Sequence, residues 1–147
     1  MNKIFGFAFC TCLTLMIPLD SLIVRSRSGA ARSRDIPPED QDWYGFMETE
    51  DTNLGMKIKG GEAMEVLNQR LNEIITKMNL SLDSEAQNLL RESQSTWVNY
   101  AQKKCEFMSD KYRGGTHQGL AYSYCFIGEQ VNRIKELIAI ENDRDNF

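Results

Sequence analysis

Apolar residues change their spacing sharply about sixty residues into the chain. From Glu62 onward, Met64, Leu67, Leu71, Ile74, Ile75 and Met78 recur at i, i+3, i+4 and i+7, the signature of one buried helical stripe. Glu62 and Glu65 suit the positive end of this helix, which is expected to end near Asn79. A second stripe runs through Ala86, Leu90, Gln94, Trp97, Ala101, Cys105 and Met108. Ser84 with Gln87 offers a capping box at its start. No Pro or Gly interrupts it until Gly114-Gly115, a strong stop, which gives a helix of about thirty residues unless it kinks or ends early, past Met108. A third stripe of Leu120, Tyr124, Ile127, Val131, Ile134 and Ile138 predicts a helix from about Leu120 to Ile140, with Gly128 permitting a close neighbour. No segment carries a strand period or a repeat. The expected fold is all-α, a small bundle of three main helices over residues 61–141, with residues 142–147 as a frayed polar tail.

The first sixty residues follow no such period. Lys3 precedes an apolar run from Ile4 to Ile17, which Pro18 ends. That run is shorter than the roughly twenty residues a spanning helix needs and matches the core of a secretory signal. Residues 1–24 therefore read as a signal peptide, or as a signal anchor if Leu22-Ile23-Val24 extends the run. Residues 25–34 are small and basic, and residues 35–53 are acidic around Pro37-Pro38, so 25–60 reads as a flexible tail or linker closed by Lys59-Gly60-Gly61. Trp43, Tyr44, Phe46 and Met47 interrupt it, either as a segment docking onto the helices or as a short partner-binding motif.

Export sorts the four cysteines. Cys10 and Cys12 fall within the signal, which leaves Cys105 and Cys125. Two cysteines in an exported domain are expected to pair, here between the second and third helices; in a cytosolic chain they would be buried thiols. A closed loop of about twenty residues would contribute roughly 3 kcal/mol by chain entropy. Two cysteines and the single histidine, His117, fall short of a zinc site.

The mature region is one modest domain of ordinary composition, with 41% hydrophobic and 26% charged residues in the 147-residue chain. A net charge of -4 and a pI near 5.1 argue against nucleic acid as a partner. Nothing assembles a nucleophile, a base and an orienting group. His117 is the only imidazole, and it lies in the Gly-flanked stretch Gly114–Gly119. No phosphate loop or dinucleotide fingerprint is present, so no enzyme activity and no cofactor is expected.

An ordered set of residues remains: Leu71-Asn72, Leu90-Arg91, Gln94, Trp97, Tyr100, Cys105, Gly114-Gly115-Thr116, Cys125, Arg133 and Glu136-Leu137. In this order they resemble the LprI-like lysozyme-inhibitor domain family of exported bacterial proteins. The likeness spans roughly residues 62–138. Ile75 replaces an aromatic, and Ala101-Gln102 replaces the Arg-Asp that usually follows the helix aromatic. The resemblance implies a periplasmic or secreted binding protein whose partner is lysozyme, with membrane contact only through an uncleaved N-terminal segment. An envelope interaction protein or a toxin-neutralising protein is the competing expectation. Gln94, Trp97, Tyr100, Gly114, Gly115 and Arg133 read as structural: Trp97 as core, Gln94 as partner to a backbone group or the indole N–H, and Arg133 as half of a salt bridge or as a helix-end bond. Tyr112, Arg113, Thr116 and His117, on the turn between the linked helices, are the candidate partner contacts.

Overall fold

A computed structural model describes residues 37–144 of the chain. The expected signal or anchor (1–24, with Cys10 and Cys12), the basic part of the tail and residues 145–147 lie outside the described residues. Within them the elements are a short 3₁₀ turn at Pro38–Asp40, α1 (Trp43–Glu48), α2 (Asn53–Asn79), α3 (Ser84–Ser109), a second 3₁₀ turn at Asp110–Tyr112, and α4 (Gln118–Arg144). No strand occurs among the described residues. The expected all-α bundle of three main helices is the observed one.

α4 organises the bundle, because both other long helices approach it most closely. α2 runs parallel to it: Gly60 meets Ser123 near one end, and Lys77 pairs with Glu141 at 3.0 Å near the other. α3 runs antiparallel to it, with Cys105 opposite Cys125 and Ser93 opposite Arg133. The core lies mainly between α2 and α4. Ala63, Leu67, Leu71, Ile74 and Met78 face Leu120, Ile127, Ile134 and Leu137, all buried. Each large aliphatic side chain so buried contributes on the order of 1.5–3 kcal/mol. The i, i+4, i+7 spacing of these residues puts them on one side of each helix, which is why the helices form and why they pack there.

The segment before residue 61 is not the flexible linker its composition suggests. Residues 25–36 of that stretch lie outside the described residues, but residues 38–60 are largely helical and docked. Trp43 is 3% exposed, and Met47 is fully buried in the same core. The indole N–H of Trp43 donates to the Pro38 carbonyl at 2.7 Å. Glu39, buried, accepts from Arg70 Nε at 3.2 Å and Nη2 at 3.1 Å, which ties the first 3₁₀ turn to α2. Tyr44 stacks beside Tyr124 of α4, with ring centroids 5.4 Å apart. Gly128 permits that approach, since a Cβ there would lie 3.0 Å from the Tyr44 hydroxyl. Few apolar residues suffice here because they are large and aromatic.

α2 also begins earlier than Glu62. Thr52 caps it by accepting from the Gly55 amide at 3.0 Å, and Gly60-Gly61 lie inside the helix instead of closing a linker. A Cβ at Gly60 would lie 3.0 Å from side-chain atoms of both Ser123 and Met47, so glycine lets α2 and α4 approach closely here without displacing either. The N-cap of α3 is Asp83, not Ser84, because its carboxylate reaches the Ala86 amide at 2.8 Å. Gln87 turns the other way and donates to the carbonyls of Asn79 and Leu82, satisfying the end of α2.

Candidate functional site

Cys105 and Cys125 are bonded, twenty positions apart in sequence and with Cα atoms 5.5 Å apart. Cys105 occupies the buried face of α3 together with Ala101 and Ser109. The covalent link thus clamps the last turn of α3 to the second turn of α4, and the connection between them emerges from a fixed base.

α3 ends at Ser109, five residues before the glycine pair, and the 3₁₀ turn Asp110–Tyr112 continues its direction. Gly114 then takes a φ of 75°, the left-handed conformation in which glycine avoids the Cβ penalty. Its amide donates to Gln118 Oε1 at 3.1 Å. The Gly115 amide donates to the Tyr112 carbonyl at 2.9 Å, and the Ala121 amide to the His117 carbonyl at 2.9 Å, starting α4. Every residue from Lys111 to His117 is exposed. The turn is therefore open to solvent while its backbone is held by its own bonds.

The four proposed contact residues lie together on this turn, but not as free side chains. Arg113 forms a fork with Asp110: Nε reaches Oδ1 at 2.8 Å and Nη2 reaches Oδ2 at 2.7 Å. Tyr112 and His117 have ring centroids 6.3 Å apart, and Lys111 Nζ lies 4.9 Å from the Tyr112 ring. Thr116 is exposed between them.

The residues read as structural divide into two groups. Arg133 is buried and joins α3 to α4, with Nε donating to Gln94 Oε1 at 3.1 Å, Nη2 to Ser93 Oγ at 2.9 Å and Nη1 to Glu136 at 2.8 Å. Its guanidinium carbon lies 5.9 Å from the Trp97 ring. Gln94 therefore serves the arginine instead of a backbone group or the indole, because a charged donor binds its amide oxygen more strongly. Trp97 is half-buried, packed against the core and against Phe126 of α4 at 6.4 Å. Tyr100 is different: it is 57% exposed, with the Lys104 ammonium 5.8 Å from its ring centroid.

Sequence periodicity did not point to the residues beside the turn. Phe107 is 82% exposed and Met108 is 51% exposed. Met108, placed on the buried stripe by its spacing, lies at the edge of that stripe, with its sulfur 3.8 Å from Cys125 Sγ. Phe107 was detectable in principle, since it is two residues from Cys105 and so out of phase with the buried face.

Charge around the site is mixed. Lys104 donates to Glu129 at 2.7 Å and Lys103 to Glu106 at 2.7 Å. Both ammonium groups are raised above the usual lysine range, chiefly by these carboxylate hydrogen bonds. Tyr122, on the adjacent turn of α4, is raised by burial and then by the nearby Glu106. Among the described residues no group of three or more His, Cys, Asp or Glu is placed to hold a metal. No helix among them is long and apolar enough to cross a membrane.

No curated protein and no solved structure matches the chain. Among protein families, the model described as Lysozyme inhibitor LprI matches residues 47–137. That span begins at the buried Met47 of α1 and ends at the buried Leu137 of α4, so it takes in α2, α3, most of α4, the disulfide and the exposed turn. The chain belongs to the LprI lysozyme-inhibitor family.

Proposed function

We propose that the chain is an exported inhibitor of lysozyme, periplasmic or secreted, that blocks the enzyme's substrate cleft with the connection between α3 and α4. Family membership supports the partner, and one structural observation supports the mode. The turn from Lys111 to His117 is wholly exposed, yet it is fixed by its own hydrogen bonds and by the disulfide at its base. A preordered protrusion loses little conformational entropy on entering a concave partner. Lysozymes are often basic, and residues 37–144 carry eighteen Asp and Glu against twelve Lys and Arg. The acidic body would therefore speed encounter. On this reading residues 1–24 direct export.

The test is residual lysozyme activity with the exported protein titrated against the enzyme. Inhibition that saturates near one inhibitor per enzyme supports the reading. Full lysozyme activity at saturating protein refutes it, and an envelope partner or a neutralised toxin then becomes the function to pursue by capture from periplasmic extract.

A further inference from the structure

The exposed side of α3 carries more contact chemistry than the turn. Tyr100, Lys103, Lys104, Phe107 and Lys111 follow the i, i+3, i+4, i+7 spacing of one helical face, turned away from the buried Ala101, Cys105 and Ser109. Met108 and Tyr112 border this face. Four large apolar side chains thus stand open to solvent within thirteen residues, which is unusual for a face with no partner. Cations are interleaved with them: between Glu92 and Arg133, every Lys and Arg of the chain falls at 103, 104, 111 or 113. The strip is also rigid. Cys105 anchors the same helical turn to α4, and Met108 rests against the other cysteine sulfur.

We infer that this face of α3, centred on Phe107, is a second contact surface with lysozyme, continuous with the turn, and that it packs on the apolar walls and carboxylates of the cleft the turn enters. The inference rests on the inhibitor reading and adds a second surface beside the turn. A glycosidase cleft has that chemistry, since sugar rings need apolar walls and bond cleavage needs two carboxylates. Phe107 would fill the slot as an aromatic anchor, with Tyr100 and Tyr112 on either side. Lys111 has no carboxylate partner among the described residues and supplies the free cation. The other cations are already paired with Glu106, Glu129 and Asp110. A sheet of anionic lipid headgroups would therefore gain little from this face, whereas a cleft with two carboxylates needs only one free ammonium.

The experiment uses the exported protein and three variants: Phe107→Ser, Lys111→Glu and, as a control on an exposed apolar residue at the far end of the same helix, Leu89→Ser. Phe107 is exposed, so its variant should keep the parent's thermal unfolding. Its inhibition constant should rise about thirtyfold, the loss expected of a hot-spot residue. Lys111→Glu should weaken inhibition several-fold, and Leu89→Ser should match the parent. Unchanged inhibition by Phe107→Ser, or equal losses for Phe107→Ser and Leu89→Ser, overturns the inference while the inhibitor reading stands. A parent chain that does not inhibit lysozyme overturns both. Phosphatidylglycerol vesicles complete the set. Vesicle binding by the parent that Phe107→Ser abolishes, with inhibition intact, would make the face a membrane contact and overturn the inference.

Discussion

Arg133 of α4 donates its Nε to Oε1 of Gln94 of α3 at 3.1 Å, and so two residues thirty-nine apart in sequence form a polar tie between the antiparallel helices. The same guanidinium holds Ser93 and Glu136 and lies beside Trp97. Replacing Arg133 by Ala leaves Gln94 and Ser93 without their partner and removes the packing of its stem on the indole. Such a change should cost about 3 kcal/mol. Arg133→Lys should recover only part of that, because an ammonium cannot form the same fork. Urea denaturation of both variants gives the numbers, and a loss below about 0.5 kcal/mol for Arg133→Ala would show that the tie contributes nothing.

Trp43 makes the opposite case to a dispensable linker. It is buried and holds the Pro38 carbonyl, and Glu39 beside it is forked by Arg70. Trp43→Ala should destabilise the domain by about 3–5 kcal/mol, the usual range for emptying a buried aromatic site. Removing residues 1–52 should do at least as much. Thermal unfolding of the truncated chain decides it: an unchanged midpoint would mean that α1 merely rests on the surface.

Sequence pattern and structure agree where burial imposes a clean period and part where it does not. α3 and α4 were legible because a stripe at helical spacing marks each, and the end of α2 because Asn79 closes its stripe; α3 stops at Ser109, short of the glycine pair that its uninterrupted sequence allows. The first nine residues of α2 were not legible, since Gly55, Gly60 and Gly61 each cost about 1 kcal/mol of helix propensity. Tertiary packing supplies what propensity lacks there: Gly60 lies against Ser123, and Lys59 bonds to Thr49 and Glu50. At the candidate site, the turn and the cysteine pair were visible from glycine placement and export logic. The aromatic strip was not, because a search for buried stripes passes over a phenylalanine that is out of phase.

Reducing the disulfide tests how far it braces the fold. The loop it closes is twenty residues long, which predicts a loss of about 3 kcal/mol. A Cys105→Ser, Cys125→Ser double variant should remain helical by circular dichroism yet unfold at lower denaturant. If instead its midpoint equals the parent's, packing of α3 on α4 already fixes the loop ends without the bond.

High pH should weaken the fold. Tyr122 and Tyr124 are raised above the usual tyrosine value of about 10, both first by burial, with Glu106 and Glu48 respectively adding to it. Lys104 is raised by its bond to Glu129. In each case the folded state holds the proton more tightly than the unfolded chain. The associated stability is present in full below about pH 10 and falls as pH climbs through the raised values. Denaturation midpoints measured from pH 8 to about pH 11.5 should decline only over the upper part of that range. A steady fall already between pH 8 and about pH 9 would contradict this assignment.

The turn contributes in a way its ion pair makes readable. Arg113 neutralises Asp110, so replacing Arg113 by Ala removes a cation and also exposes an anion. Facing a cleft with carboxylates, the exposed Asp110 would repel. Arg113→Ala with His117→Ala should therefore weaken lysozyme inhibition about tenfold, equivalent to 1.4 kcal/mol, with little effect on folding because both side chains are exposed. Adding Asp110→Asn to that double variant should restore part of the lost inhibition if repulsion is the cause. It should restore none if the arginine itself made the contact. Gly114→Ala probes shape independently of charge: a φ of 75° is strained for alanine, and the cost should be about 1 kcal/mol in folding. Inhibition measured well below the unfolding midpoint should also weaken, since the turn must shift. Full inhibition by the double variant and by Gly114→Ala alike would exclude the turn from the interface and leave the Phe107 face to carry the contact alone.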